Sequence, residues 1–418
     1  MVRYGVVWHP ATDNLGDDLQ ALAAMRLMPR VEHVLDGENL HAPIPGLSDG
    51  DRVVTLLSGN VFRRCDHWPP EKHIVPVCVG MHFSQESVWG VPLTELDGAG
   101  ARWLKAFAPV GCRDKSTFDT LEAMGFPVEM NGCVTLTLKS SRTQPRGNYI
   151  CCVDVPDEVV EVLTQAVQPH GIEVRCMTHQ NRSYEADFER RMEHAQWMVD
   201  AYAGAQLVVT RRLHAAMAGV AVDTPTMLLY HASYENVASF APMDSMINSM
   251  NVEDYVEKIK RDGWQTPDPN PDSVAMWRKR IKAFIAEGMK RAETGPLSPV
   301  SDEDAAQWRF AMLTRMAERA EKKIRKLERD NYTELHDKFS RLLNEDHVRA
   351  AVIDVLDEKP VQRALRRVSR MRRAKVLPWH ERPMAYARMA AGKAECPDLE
   401  SALRAELNTI GWPVGNDA

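Results

Sequence analysis

Two guanidiniums and an imidazole fall within five residues, Thr210, Arg211, Arg212, Leu213 and His214, between a β-branched run and a small-residue stretch. The run Gln206 to Thr210 reads as a buried strand, the segment after it as a helix, and Thr226 to Tyr230 as a second buried strand. That order puts the cations at the carboxyl end of a strand and in the first turn of a helix. Open α/β sheets bind ligands at such places, and helix dipoles favour anions there. The first implication is an anionic substrate. Arg212 is, with Arg113 earlier in the chain, one of the two best clamp candidates, because its fork matches carboxylate or phosphate oxygens bidentately, and Arg211 is a weaker third. His214, two residues on, titrates near neutral pH and suits proton transfer. The plainer alternatives are an arginine paired to a carboxylate and a histidine that caps its helix.

Two earlier segments have the same character. Asp13-Asn14-Leu15-Gly16-Asp17-Asp18 lies where the first strand turns into the first helix, and Gly16 lets the backbone approach a ligand closely. Alternatively Asp13 or Asn14 caps that helix, and Asp17 and Asp18 complement its dipole. Gly111-Cys112-Arg113-Asp114 follows another strand-like run. Arg113 is a further anion clamp, and Asp114 beside it is either its ion-pair partner or a helix N-cap. Ser58-Gly59-Asn60 and Gly80-Met81-His82 also follow apolar strands, which makes His82 either a cleft-lining or a structural residue.

These three blocks resemble, in order and spacing, the Asn-x-Gly-Asp turn, the Arg-Asp region and the Arg-Leu-His signature of the polysaccharide pyruvyl transferases, over roughly residues 1 to 250. Members of that family move a pyruvyl group from phosphoenolpyruvate onto a sugar. The resemblance implies phosphoenolpyruvate as donor substrate with no separate cofactor. It also implies a sugar acceptor in a surface polysaccharide or lipid-linked precursor, and a cyclic ketal product. Arg212 and Arg113 would clamp the donor from two halves of a cleft, with Arg211 assisting and His214 carrying a proton. Asp17 would orient an acceptor hydroxyl, with Asn14, Gly16 and His82 close by. Many members carry a lysine before a valine after the strand that follows Pro225, where this chain has Asn236 before Val237.

Positioning such residues takes two sheets. Strand-like runs at Tyr4 to Trp8, Arg52 to Leu57, His73 to Val79 and Phe107 to Gly111 alternate with helical stretches. A polar, turn-rich segment from Ser140 to Asn148 precedes a second series at Tyr149 to Val153, Glu173 to Met177, Gln206 to Thr210 and Thr226 to Tyr230. The expected fold is α/β: two Rossmann-like, doubly wound domains facing a cleft in the GT-B manner. Residues 1–145 would form the acceptor side, 146–275 the donor side and 276–418 a helical extension. In that extension the spacing of Leu313, Met316, Ala320, Ile324, Leu327, Leu335, Phe339 and Leu342 suits a helical seam, which packs on its own body or joins two chains over 313–342.

Composition limits the remaining choices. The chain has 418 residues, 44% of them hydrophobic, and its formal net charge of −6 argues against generic nucleic-acid binding. Its eight cysteines form no CxxC pair and mostly lie in apolar runs, the pattern of buried reduced thiols. No signal-like start and no long apolar run occurs, so a cytoplasmic protein is expected. Arg363, Arg366, Arg367, Arg370, Arg372, Arg373 and Lys375 precede Pro378-Trp379. This basic helix is either solvated or a peripheral contact with the inner face of an anionic membrane. No spaced His, Asp and Glu cluster forms a metal shell. Two other functions fit the same pattern. One is a GT-B glycosyltransferase using a nucleotide sugar, with Glu235 for the ribose hydroxyls. The other is a non-catalytic relative in a polysaccharide biosynthesis complex.

Overall fold

A computed structural model describes residues 1–60, 68–83, 93–180, 187–230 and 245–329. Its frame is mixed α/β, with two parallel sheets. The first contains β1 (Val2–Trp8), β2 (His33–Asp36), β3 (Arg52–Gly59), β4 (Ile74–Met81), β5 (Val110–Cys112) and β6 (Val128–Met130), in the order β2-β1-β3-β4-β5-β6. The second contains β7 (Tyr149–Val153), β8 (Glu173–Met177), β9 (Leu207–Thr210), β10 (Thr226–Tyr230) and β11 (Asn248–Asn251), in the order β11-β10-β9-β7-β8. The strand order reverses beside β1 in the first sheet and between β7 and β9 in the second. Ligand crevices of open α/β sheets form at such reversals.

The helices follow from their apolar spacing and caps. α1 (Leu15–Leu27) is capped by Asn14, whose side chain accepts from the Gly16 N–H at 3.1 Å. α2 (Gly98–Ala106) and α3 (Lys115–Ala123) follow, and α3 is capped by Asp114, which accepts from the Thr117 N–H at 2.9 Å. Around the second sheet lie α4 (Asp157–Val167), α5 (Phe188–Gly204), α6 (Leu213–Ala221) and α7 (Val252–Asp262). Alternate residues of β7 point to opposite layers, as a strand's period of two requires. Ile150 and Cys152 share a core with Val159, Leu163, Tyr255 and Val256 of α4 and α7. Cys151 and Val153 share another with Met192, Met198, Tyr202 and Ala218 of α5 and α6. Burial on both faces explains why β7 and β9 read as unbroken apolar runs.

That second core continues through Leu15, Leu19 and Leu22 of α1 to Val54, Leu56, Val75 and Val77 of the first sheet. It also includes Ile281, Phe284, Ile285 and Met289 of α8 (Ser273–Thr294), a helix that comes after the second sheet in sequence and covers the first. Gly288 makes the close approach possible, since a Cβ there would lie 2.4 Å from Val77 Cγ1. Arg52 Nη1 donates to the carbonyls of Ala292 and Gly295 at 3.1 and 2.6 Å, and Tyr4 donates to Glu293 at 2.8 Å. The 276–418 extension expected from sequence therefore begins with a helix that belongs to the first sheet's layer.

Both sheets, with α1 to α8, belong to one compact unit, and α9 (Asp302–Arg329) enters a second unit from residue 306. No strand occurs among the described residues beyond Asn251. Cys78, Cys112, Cys133, Cys151 and Cys152 are buried free thiols, whereas Cys176 on the edge strand β8 is exposed, contrary to the expectation for apolar runs. Residues 330–342 of the expected seam, the basic run at 363–375, Pro378-Trp379, Glu235, Asn236, Val237, Cys65 and Cys396 lie outside the described residues.

Candidate functional site

The carboxyl ends of both sheets supply one cluster of polar side chains. Arg113 follows β5 and His214 is the second residue of α6, yet Arg113 Nη1 lies 3.2 Å from His214 Nε2. A guanidinium can only donate, so Nε2 accepts and the imidazole carries no proton there. The opposite edge of the ring abuts α1: a Cβ on Gly16 would lie 2.5 Å from His214 Nδ1. Thus the first turns of α1 and α6 meet, and α3 begins two residues after Arg113. The first turns of α1 and α6 and the guanidinium of Arg113 are groups that favour an anion, whereas the start of α3 is taken by its own cap, Asp114.

Arg212 takes a different partner. Its Nε donates to Asp154 Oδ2 at 2.7 Å, while its backbone N–H is held by Thr210 Oγ1 at 2.9 Å. The pairing follows from register, since Val153 of β7 faces Thr210 of β9 and both residues leave their strands side by side. Burial favours the neutral form of Asp154. Bonds from the His179 N–H, Thr178 and Arg212 outweigh it and hold the carboxyl below its ordinary range. Arg211 is exposed, its backbone N–H on Val153 O at 3.3 Å.

On the first sheet's side, Asp17 is buried and accepts from Thr12 Oγ1 at 2.9 Å and Gln20 Nε2 at 3.4 Å. His82 Nδ1 lies 2.7 Å from Asp114 Oδ2. Asp114 is thereby both the cap of α3 and the partner of His82, rather than a mate for Arg113. Burial pushes its carboxyl up, but His82, the Thr117 N–H and the charge of Arg113 prevail and keep it below the usual value. Asn14 is the cap of α1, as one of the sequence alternatives held, and it also bridges to Gln180 just beyond β8.

Sequence reasoning passed over three residues. His179 joins the halves through its backbone: its N–H donates to Asp154 at 3.0 Å, and its carbonyl accepts from the Leu15 N–H at 2.7 Å. Its ring is buried with Nε2 2.7 Å from Tyr202 Oη, and burial pulls its pKa down to about 4. Arg191 of α5 donates through Nε and Nη2 to Asp18 at 2.9 and 2.6 Å, making a buried pair of what looked like a first-turn acid. Burial raises the Asp18 carboxyl to about 6 against the pull of Arg191 and of Trp8 Nε1. Asp154 is the third. Its signal was position alone, an acid directly after a buried strand at a reversal of strand order.

A cavity of about 270 Å³ lies elsewhere, lined by Val75, Val77, Phe107, Pro109, Gly288 and Arg291 among others, and none of the cluster's residues borders it. Among the described residues, no group of three or more His, Cys, Asp or Glu side chains is placed to hold a metal ion.

Residues 96–233 match the family model described as polysaccharide pyruvyl transferase. The pyruvyl transferase match runs from just before α2 to just after β10 and includes Arg113, Asp154, Arg212 and His214, whereas Asn14, Gly16 and Asp17 precede it. No curated protein matches the chain. The crystal structure of an uncharacterized protein from Klebsiella pneumoniae is similar over 57% of this chain and 86% of its own, at 13% identity and a TM-score of 0.36. No helix among the described residues is long and apolar enough to cross a membrane.

Proposed function

We propose that this protein transfers a pyruvyl group from phosphoenolpyruvate to a sugar of a surface polysaccharide or lipid-linked precursor, forming a cyclic ketal. The observation that carries this reading is the contact of Arg113 with His214, backed by Gly16. It joins the three sequence blocks of the resemblance in one place, and two of them lie inside the matched pyruvyl transferase domain. The two parallel sheets would serve as the acceptor side (residues 1–145) and donor side (146–275) of a GT-B-like cleft, in a cytoplasmic enzyme that needs no further cofactor.

The chemistry assigns each group a task. Phosphoenolpyruvate offers a carboxylate and a phosphate, and Arg212 and Arg113 take these oxygens, with Arg211 adding charge from the rim. The enol methylene takes a proton and becomes a methyl group, which leaves C2 electrophilic. One sugar hydroxyl bonds to C2, the bond from C2 to the phosphate oxygen breaks, and a second hydroxyl closes the ring. Of the two hydroxyl protons, one balances the new methyl group and the other leaves on inorganic phosphate. His214, with an acceptor lone pair at Nε2, shuttles a proton in this sequence. Asp17 orients an acceptor hydroxyl, while Asn14, Gly16 and His82 shape that side.

The test is ligand-induced thermal stabilisation of the purified protein by phosphoenolpyruvate, with UDP-sugars for comparison and Arg212→Ala as control. Stabilisation by phosphoenolpyruvate that is lost in the variant supports the proposal. A response to UDP-sugars alone replaces it with a glycosyltransferase, and silence from both favours a non-catalytic relative.

A further inference from the structure

Arg212 is exposed over 37% of its side chain, yet one of its nitrogens is fixed. Nε donates to Asp154 Oδ2, and among the described residues neither Nη1 nor Nη2 has a hydrogen-bond partner. The end of the guanidinium that presents two parallel N–H groups therefore faces away from Asp154 with its donors unspent. Asp154 is itself fixed. It adopts φ of +49°, in the left-handed region that only glycine, asparagine and aspartate visit readily, and its carboxylate is held by the His179 N–H and by Thr178. Non-glycine residues kept in that region gather at functional sites. Its place beside the strand-order reversal of the second sheet is the place where such folds bind ligands.

We infer that Asp154 is a positioning residue: by holding Arg212 through Nε, it aims the Nη1 and Nη2 pair at the carboxylate or phosphate of a bound anion. The inference rests on the donor-binding role given to Arg212 above and adds a residue that no sequence motif marked. Asp154 does not touch the anion. Its negative charge would repel a ligand at close range, so its benefit comes through the orientation of Arg212. The same carboxylate is joined through His179 to the first turn of α1, since the His179 carbonyl accepts from Leu15. The anion clamp and the Asn14 to Asp17 turn thereby share one support.

The full chain is tested with phosphoenolpyruvate and, separately, inorganic phosphate, by titration calorimetry. Asp154→Gly keeps the left-handed backbone and removes the carboxylate, and Asp154→Asn keeps both the backbone and an acceptor oxygen. We expect Asp154→Gly to weaken phosphoenolpyruvate binding by about 10-fold or more, the range of a lost charge-assisted clamp, and Asp154→Asn to restore part of that loss. The deciding readout is the Arg212→Ala background, where Asp154→Gly is expected to change affinity no further. Additive losses there, or wild-type affinity in Asp154→Gly, overturn the positioning role and leave the pyruvyl transfer reading standing. If wild type binds phosphate but not phosphoenolpyruvate, and Asp154→Gly loses it only when Arg212 is present, the pyruvyl reading falls and the positioning role survives. A wild-type protein that binds neither anion overturns both. If Asp154→Gly fails to fold, Asp154→Asn alone and in the Arg212→Ala background decides by the same comparison.

Discussion

Gly16 and His214 lie 198 positions apart in the chain, and a Cβ on the first would stand 2.5 Å from Nδ1 of the second. The absence of a side chain at position 16 is what lets the imidazole reach Arg113. A methyl group must push the ring aside, and a displacement of about 1 Å at a reacting group can reduce turnover about 100-fold. Gly16→Ala is therefore expected to lose the proposed pyruvyl transfer by that order while its melting temperature stays near wild type, because alanine regains up to about 1 kcal/mol of helix propensity. Wild-type turnover in Gly16→Ala would mean that the observed position of His214 is not the working one.

Arg191 and Asp18 form a buried ion pair that ties α5 to α1, both side chains being almost fully enclosed. Removing one partner strands a charge in a place without water, at a cost of about 3–5 kcal/mol. Arg191→Met should lower the unfolding free energy by that amount in urea titration, and adding Asp18→Asn should recover part of it. A loss below about 1 kcal/mol, as exposed pairs show, would mean that water reaches the pair.

Acid should weaken the fold through His179. Its folded pKa lies near 4 against 6.5 for a free imidazole, so the unfolded chain takes up the proton first as the pH falls. The contribution is complete above about pH 6.5 and is lost on the way down to about pH 4, to a full extent of about 3 kcal/mol. Asp18 acts in the opposite direction. Its raised carboxyl binds the proton more tightly when folded, so its contribution grows as pH falls through about 6 toward 3.8. The two are separated by comparing wild type with His179→Gln: the wild-type advantage at about pH 7 should shrink by about 2 kcal/mol at about pH 4.5. An advantage that does not vary with pH would rule out a neutral buried imidazole.

Gly288 offers a stability test away from the site. A methyl group there meets Val77 on β4, and overpacking of this kind costs about 1–3 kcal/mol. Gly288→Ala should melt earlier with anion binding unchanged, and Val77→Ala in the same chain should restore part of the loss. If Gly288→Ala melts later than wild type, α8 sits farther from β4 than the contact implies.

Strands buried on both faces were legible in the sequence because burial demands a continuous apolar run. Tyr149 to Val153 and Thr226 to Tyr230 end where they were expected to end. The strands β2, β6 and β11, which no run announced, are all sheet edges of three or four residues and only half-buried. An edge strand needs no unbroken apolar stretch. The site divides in a similar way. Asn14, Gly16, Arg113 and His214 fall at strand ends in recognisable groups. Asp154, His179 and Arg191 act through partners 173 and 58 positions away or through backbone groups, and no local pattern encodes those.

The return of α8 to the first sheet also fixes an order of completion. All six strands of that sheet have been made by Met130, but the helix that covers Val54, Leu56, Val75 and Val77 is not made until residues 273–294. On the ribosome the later half can close its layers before the earlier half does, the reverse of their order in the gene, and until then an apolar face waits uncovered. A chain cut between the two sheets would consequently yield an amino-terminal fragment that lacks part of its own interior.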